Sequence, residues 1–140
     1  MKISEFLVKK TNLSVLNKGL DAYAMRQKSI SDNIANVDTP GYKRSAVKFE
    51  EDLKAALDKR GVFGYRTHPD HMRVGQPRIE DVEPITFIPK DPSLISGKNN
   101  VNIDHEMAEL AKNQIRWSFA TRLMTGTFNR LKSAIRGERI

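Results

Sequence analysis

Apolar residues recur at alternating spacings of three and four at both ends of this chain. Near the start, Phe6, Leu13, Leu16, Leu20, Tyr23, Ile30, Ile34 and Val37 share one stripe, interrupted by Lys9 and Gln27. Near the end, Ile103, Met107, Leu110, Trp117, Met124, Phe128, Leu131 and Ile135 repeat the pattern, interrupted by Gln114 and Thr121. A heptad-like repeat keeps an apolar seam facing a partner helix, so two long helices are predicted. Gly19 weakens the first by roughly 1 kcal/mol, which favours a bend or a frayed first third. On the second, Ile115, Phe119 and Leu123 form another stripe beside the first. One neighbour needs only a narrow seam, so the wider face predicts contact with more than one.

The ends of these helices are also marked. Asn36-Val37-Asp38-Thr39-Pro40-Gly41 stops the first, because Pro40 cannot continue a helix and biases Thr39 away from helical angles. Asp104 is a candidate N-cap for the second, Glu106 and Glu109 suit its positive end, and Arg130, Lys132 and Arg136 suit its negative end. Gly137 is a natural stop.

Between them the pattern is weaker. Phe49, Leu53, Ala56 and Leu57 share one face of a short helix that Gly61 is expected to end. Ile85-Thr86-Phe87-Ile88 reads as a strand or extended piece that Pro84 and Pro89 confine to an edge. The expected fold is mainly α, with long terminal helices paired as a coiled-coil-like hairpin around a short irregular, β-containing middle. Three regions follow within one structural unit: 1–44, 45–100 and 101–140.

Composition limits what this architecture can do. At 140 residues there is room for one ordinary domain. Only 39% of residues are hydrophobic, so a large private core is not assured and folding on assembly is expected. The absence of cysteine excludes disulfide staples, thiol nucleophiles and Cys-based zinc sites. The formal charge of +7 could suggest nucleic acid. Its distribution does not: bases and acids number twelve and eight over 1–60, five and five over 61–100, and seven and four over 101–140. No basic run exceeds two residues, and solubility is the plainer reading. No apolar run approaches the ~20 residues of a membrane span, and the N-terminal segment lacks the apolar core of a secretory signal.

Catalytic and metal chemistry find little support. His68, Asp70 and His71 could contribute two imidazoles and a carboxylate to zinc, but no third close ligand accompanies them and a solvated loop is preferred. Asp104 and Glu106 are better explained as helix-start residues than as an acid–base pair. No cofactor is expected. Two sticky helices with an uncovered middle instead suggest a subunit: a surface used head-to-tail gives a helical filament when the rotation does not close. A soluble helical adaptor or chaperone is the alternative.

Two strings then bear on the choice. Arg26 to Arg44, RQKSISDNIANVDTPGYKR, closely resembles the N-terminal signature of the flagellar rod and hook protein family. Gly97 to Asn113, GKNNVNIDHEMAELAKN, resembles the second signature of that family's proximal rod members, with Asn102 where Asp is common. The resemblance implies a structural subunit of the basal-body rod, a hollow drive shaft. Terminal helices would line the tube and the middle segment would pack outside. It implies export from the cytoplasm through the flagellar type III export gate without a cleaved leader, and residence in the periplasmic rod. Implied partners are other copies, other rod proteins and the inner-membrane ring junction protein, with no nucleic acid and no direct membrane insertion. Phe49 and Leu53 resemble the short element by which early substrates engage the gate.

The residues expected to carry assembly are Leu13, Leu16, Leu20, Tyr23, Ile30, Ile34, Met107, Leu110, Ile115, Trp117, Phe119, Met124, Phe128, Leu131 and Ile135. Those expected to shape the turn are Asn33, Asn36, Asp38, Thr39, Pro40, Gly41 and Tyr42.

Overall fold

A computed structural model describes residues 12–58, 68, 79–90 and 99–137. Phe6, Lys9, Gly61, Asp70, His71, Gly97 and Lys98 lie outside them. Helix α1 spans Leu13–Ala35 and strand β1 Ala46–Lys48, followed by helix α2 over Glu50–Leu57. A 3-10 turn at Ile79–Asp81 leads to strand β2 at Ile85–Phe87, and helix α3 covers Ile103–Arg136.

The expected paired helices are present, and α1 packs chiefly on α3. Gly19 does not interrupt α1. The 34 residues of α3 against 23 in α1 carry the second helix well past the described part of the first. Gly137 ends α3 at φ 70°, as its position suggested. The start differs from expectation: Asn102, not Asp104, is the N-cap, its Oδ1 accepting the His105 amide at 3.1 Å. The chain is extended at Asn102, which aims the side chain at the free amides of the first turn. Asn and Asp cap almost equally well, so Asn102 loses nothing by departing from the usual residue.

The middle segment is a small lid on α1. Strands β1 and β2 pair antiparallel with Ala46 opposite Phe87 and Lys48 opposite Ile85. Phe49 caps α2 instead of lying within it, and Asp58 follows the last helical residue, ahead of Gly61. Phe49, Ala56 and Val82 are buried with Ala22 of α1, and Leu53 and Ile79 pack at the margin. Leu57 departs from the expected shared face and is exposed. Ala22 explains the geometry: a methyl side chain lets the Phe49 ring approach the α1 backbone.

The seam between α1 and α3 is a larger correction. The most buried positions of α3 are Glu106, Asn113 and Ala120, and those of α1 are Ala22, Ser29, Ile30 and Asn33. On α3 small and polar groups form the closest approach and most of the apolar stripe lies to the side of it, whereas on α1 the stripe's own Ile30 is buried.

Candidate functional site

Two features stand out: a buried polar lock joining the two ends of the sequence, and a long apolar surface that the chain leaves open.

The lock begins with Asn33, near the end of α1 and fully buried. Its Nδ2 donates to the Ser45 carbonyl at 2.8 Å and to Glu106 Oε2 at 3.0 Å. Its Oδ1 accepts from the Ser45 amide at 2.9 Å and the Tyr42 hydroxyl at 3.2 Å. Glu106, itself fully buried, takes its second partner from Arg44, whose Nε donates to Oε1. A buried carboxylate is tolerable only when paired and hydrogen-bonded, and both oxygens of Glu106 are. The Arg44 amide also donates to Asn100 Oδ1 at 2.6 Å, so the residues after the turn are held from two directions.

The turn is tied by Asn99. Its side-chain amide lies 2.7, 2.8 and 2.9 Å from the carbonyls of Asn36, Val37 and Thr39, and its Oδ1 accepts the Val101 amide at 2.7 Å. Those carbonyls belong to the turn just beyond the last helical residue, Ala35, where the Asn36 and Thr39 carbonyls also accept the amides of Thr39 and Tyr42. Gly41 supplies the positive φ of 76° that lets the chain reverse. Of the turn residues, Asn33 is buried and Asn36 and Tyr42 half-buried, while Asp38, Thr39, Pro40 and Gly41 form an exposed tip. The two signature strings are therefore two halves of one hydrogen-bonded joint.

A second clasp fastens the lid. Arg26 binds Glu50 with two parallel contacts of 2.6 Å, and Arg116 of α3 approaches the same carboxylate at 3.5 Å. Partial burial raises the Glu50 pKa, but the Arg26 hydrogen bonds, a backbone bond and both guanidiniums outweigh it, and the carboxyl lies below its ordinary value. The Arg26 guanidinium also sits 6.0 Å from the centre of the Tyr23 ring. A cavity of about 400 Å³ opens here, lined by Arg26, Arg44, Arg116, Glu50, Glu109 and neighbouring small residues. Its guanidiniums and carboxylates offset one another. Among the described residues no cluster is suited to a metal ion. His68 is exposed, and His105 lies 3.3 Å from Arg44.

Against these closed joints, the apolar side chains of α3 are uncovered. Ile115, Phe119 and Ile135 are 71%, 64% and 80% exposed. Ile103, Met107, Trp117, Leu123 and Phe128 are exposed too, whereas Leu110, Met124 and Leu131 are half-buried. On α1, Ile30 is buried and Leu13, Leu16, Leu20, Tyr23 and Ile34 are half-buried. The stripe of Ile115, Phe119 and Leu123, expected to widen the apolar face of the helix, is exposed. Ile115 follows Asn113 by two residues, about 200° around the helix, and faces away from α1. Periodicity missed Glu106, Asn113, Asn99 and Arg44 because it registers only apolar residues. The signal for them was the pair of polar signature strings themselves.

Comparison with known proteins agrees with this geometry. The family described as "Flagella basal body rod protein" matches residues 13–43, which are α1 and its turn. The chain is 34% identical to the flagellar basal body rod protein FlgB of Bacillus subtilis over 122 residues, covering 87% of this chain and 91% of the relative. It is 31% identical to FlgB of Borreliella burgdorferi over 121 residues, with 84% and 90% covered. The chain belongs to the FlgB family of flagellar basal body rod proteins. FlgB of Salmonella typhimurium is more distant, at 26% over 125 residues. This FlgB-family chain is a structural component of the flagellar basal body, and the soluble adaptor alternative finds no support among its relatives. Among the described residues no helix is long and apolar enough to cross a membrane.

Proposed function

We propose that the chain is a non-catalytic building block of the proximal rod, joined to other copies, to sister rod proteins and to the inner-membrane ring junction by the open faces of α1 and α3. One observation carries this reading. The chain closes its own seam with Glu106, Asn113 and Ala120 of α3 and with Ile30 of α1, yet holds Ile115, Phe119 and Leu123 outward on the far side of α3. Burying each such side chain contributes about 1.5–3 kcal/mol before ordering costs. Several on every subunit supply an assembly free energy that the isolated chain cannot collect.

The polar lock suits the same role. It fixes how α3 leaves the turn and so fixes the angle at which the open faces are presented. The middle segment, held to α1 by Phe49 and by the Arg26–Glu50 clasp, would form the outer layer of a tube.

Delivery through the export gate before folding supports a role for Phe49 and Leu53 that is separate in time from their packing. In the folded chain Phe49 is buried, so a gate could read it only on an unfolded chain.

The test uses Phe119→Asp and Ile115→Asp in cells lacking the native copy. Both sites are exposed, so the variants are expected to be made and exported normally but to be missing from purified basal bodies, with swimming lost. Normal incorporation of both would contradict the assembly role of this face.

A further inference from the structure

We infer that the outer face of α3 receives the β2 side of the lid from a second copy of this chain. This rests on the rod-subunit reading and adds to it the two surfaces that meet.

Each surface is apolar and uncovered. On α3, Ile115 and Phe119 border a groove of about 500 Å³ that also takes in Ala111, Gln114, Ser118 and Arg122. On the lid, Ile85 and Phe87 are exposed and point to the same side of β2, two residues apart. Among the described residues β2 pairs on one edge only, with β1. Both patches occupy elements held rigid by the lock and by the Phe49 core, so little ordering is lost when they are covered.

Charge selects the partner. From Leu110 to Arg136, α3 carries Lys112, Arg116, Arg122, Arg130, Lys132 and Arg136 and no carboxylate. Around β2 the balance reverses: Glu51, Asp52, Glu80, Asp81 and Glu83 outnumber Lys48, Lys54 and Lys90. Lys48 is engaged by Glu51 at 3.2 Å and Asp52 at 3.9 Å, and on α3 Lys112 is engaged by Glu109 at 2.7 Å and Arg116 by Glu50 at 3.5 Å. A symmetric contact would set α3 bases against α3 bases, or lid carboxylates against lid carboxylates, and like charges across an interface are costly. Only the crossed contact places unlike charges together. Since one chain carries both halves, the contact is heterologous and repeats from copy to copy.

The absence of cysteine makes a clean test. In basal bodies from cells lacking the native copy, a chain carrying both Phe87→Cys and Phe119→Cys is expected to give an oxidised ladder of dimers, trimers and longer species. Either substitution alone gives none, and co-expression of the two single variants gives dimers only. Self-linking of Phe119→Cys alone, or basal bodies holding the double variant with no ladder, overturns the inference.

Charge reversal serves where the cysteine chain does not incorporate. Arg122→Glu, and separately Glu51→Lys with Glu83→Lys, are each expected to lower incorporation roughly tenfold, and their combination to restore it. Normal incorporation of the single-sided variants, or no restoration, overturns it equally. Absence of the wild-type chain from basal bodies is a different result, and defeats the rod reading itself.

Discussion

Asn33 and Glu106 stand 73 residues apart in sequence and meet in a buried hydrogen bond of 3.0 Å. One sits within the first signature string, near the end of α1, and the other in the second. Asn33 spends its carbonyl on Ser45 and Tyr42, and its amide on Ser45 and Glu106. Glu106 divides its oxygens between Asn33 and Arg44. The bond therefore ties the exit of α1, the chain after the turn and the entry of α3 into one joint.

Removing one member should cost more than exchanging it. Glu106→Ala strands the Arg44 guanidinium and half of the Asn33 amide, and is expected to cost about 3 kcal/mol. Glu106→Gln keeps the shape and one acceptor, and should cost less. Denaturant unfolding of both variants checks this; equal, small losses would show the joint to be unimportant for stability.

The knot at Asn99 should behave locally. Asn99→Ala removes the donor that the Asn36, Val37 and Thr39 carbonyls share at a partly exposed site, and about 1–2 kcal/mol is expected. Hydrogen exchange should quicken at Thr39 and Tyr42, whose amides close the turn, and stay slow around Asn113. Uniform acceleration across α3 would mean that the turn and the helix pair are one cooperative unit.

Asn113 gives an effect of opposite sign. Its Nδ2 reaches the Tyr23 carbonyl and Gln27 Oε1, each at 3.0 Å, while its Oδ1 is buried without a partner. Replacing both polar partners together, Asn113→Leu with Gln27→Leu, should be neutral or should raise stability, because the uncompensated acceptor disappears. Asn113→Leu alone leaves Gln27 facing an apolar group and should be the worse of the two. A thermal melt of the three chains decides between them.

Acid should loosen the lid. The Glu50 carboxyl is below its ordinary 4.5 in the folded chain, so the unfolded chain takes up its proton first as pH falls. The contribution of the clasp is complete above the ordinary glutamate range and is lost as pH drops through it towards the lowered value. Glu109, lowered chiefly by the Lys112 hydrogen bond despite some burial, acts in the same direction. Glu50 is half-exposed, so the effect is expected to be modest. Glu50→Gln should flatten the fall in stability between neutral and acidic pH; an unchanged slope would assign the acid sensitivity elsewhere.

Some of this was legible in the residues and some was not, for physical reasons. Backbone constraints were readable: Pro40 and Gly41 shape the turn that follows α1, Gly137 ended α3, and Pro84 and Pro89 bracketed β2. Those residues restrict or free φ wherever they occur. The helix pair was readable because apolar spacing has a period. Its facing was not. Apolar spacing cannot distinguish a position buried against α1 from an uncovered one, and here Phe128 and Ile135 continue the repeat yet stand exposed. The buried positions of α3 are Glu106, Asn113 and Ala120, at heptad spacing but without large apolar side chains. Asn99 was invisible for another reason: three carbonyls gathered around one amide is a property of the folded turn alone.

The central claim is that the outward stripe of α3 is covered by neighbouring subunits and not by the chain's own helix. A density map of the intact rod, resolved to side chains, tests it most directly. Phe119 and Ile115 should lie beneath residues of adjacent subunits, with Asn33 and Glu106 still joined within one chain. Both side chains facing open solvent in the assembled rod would contradict the account.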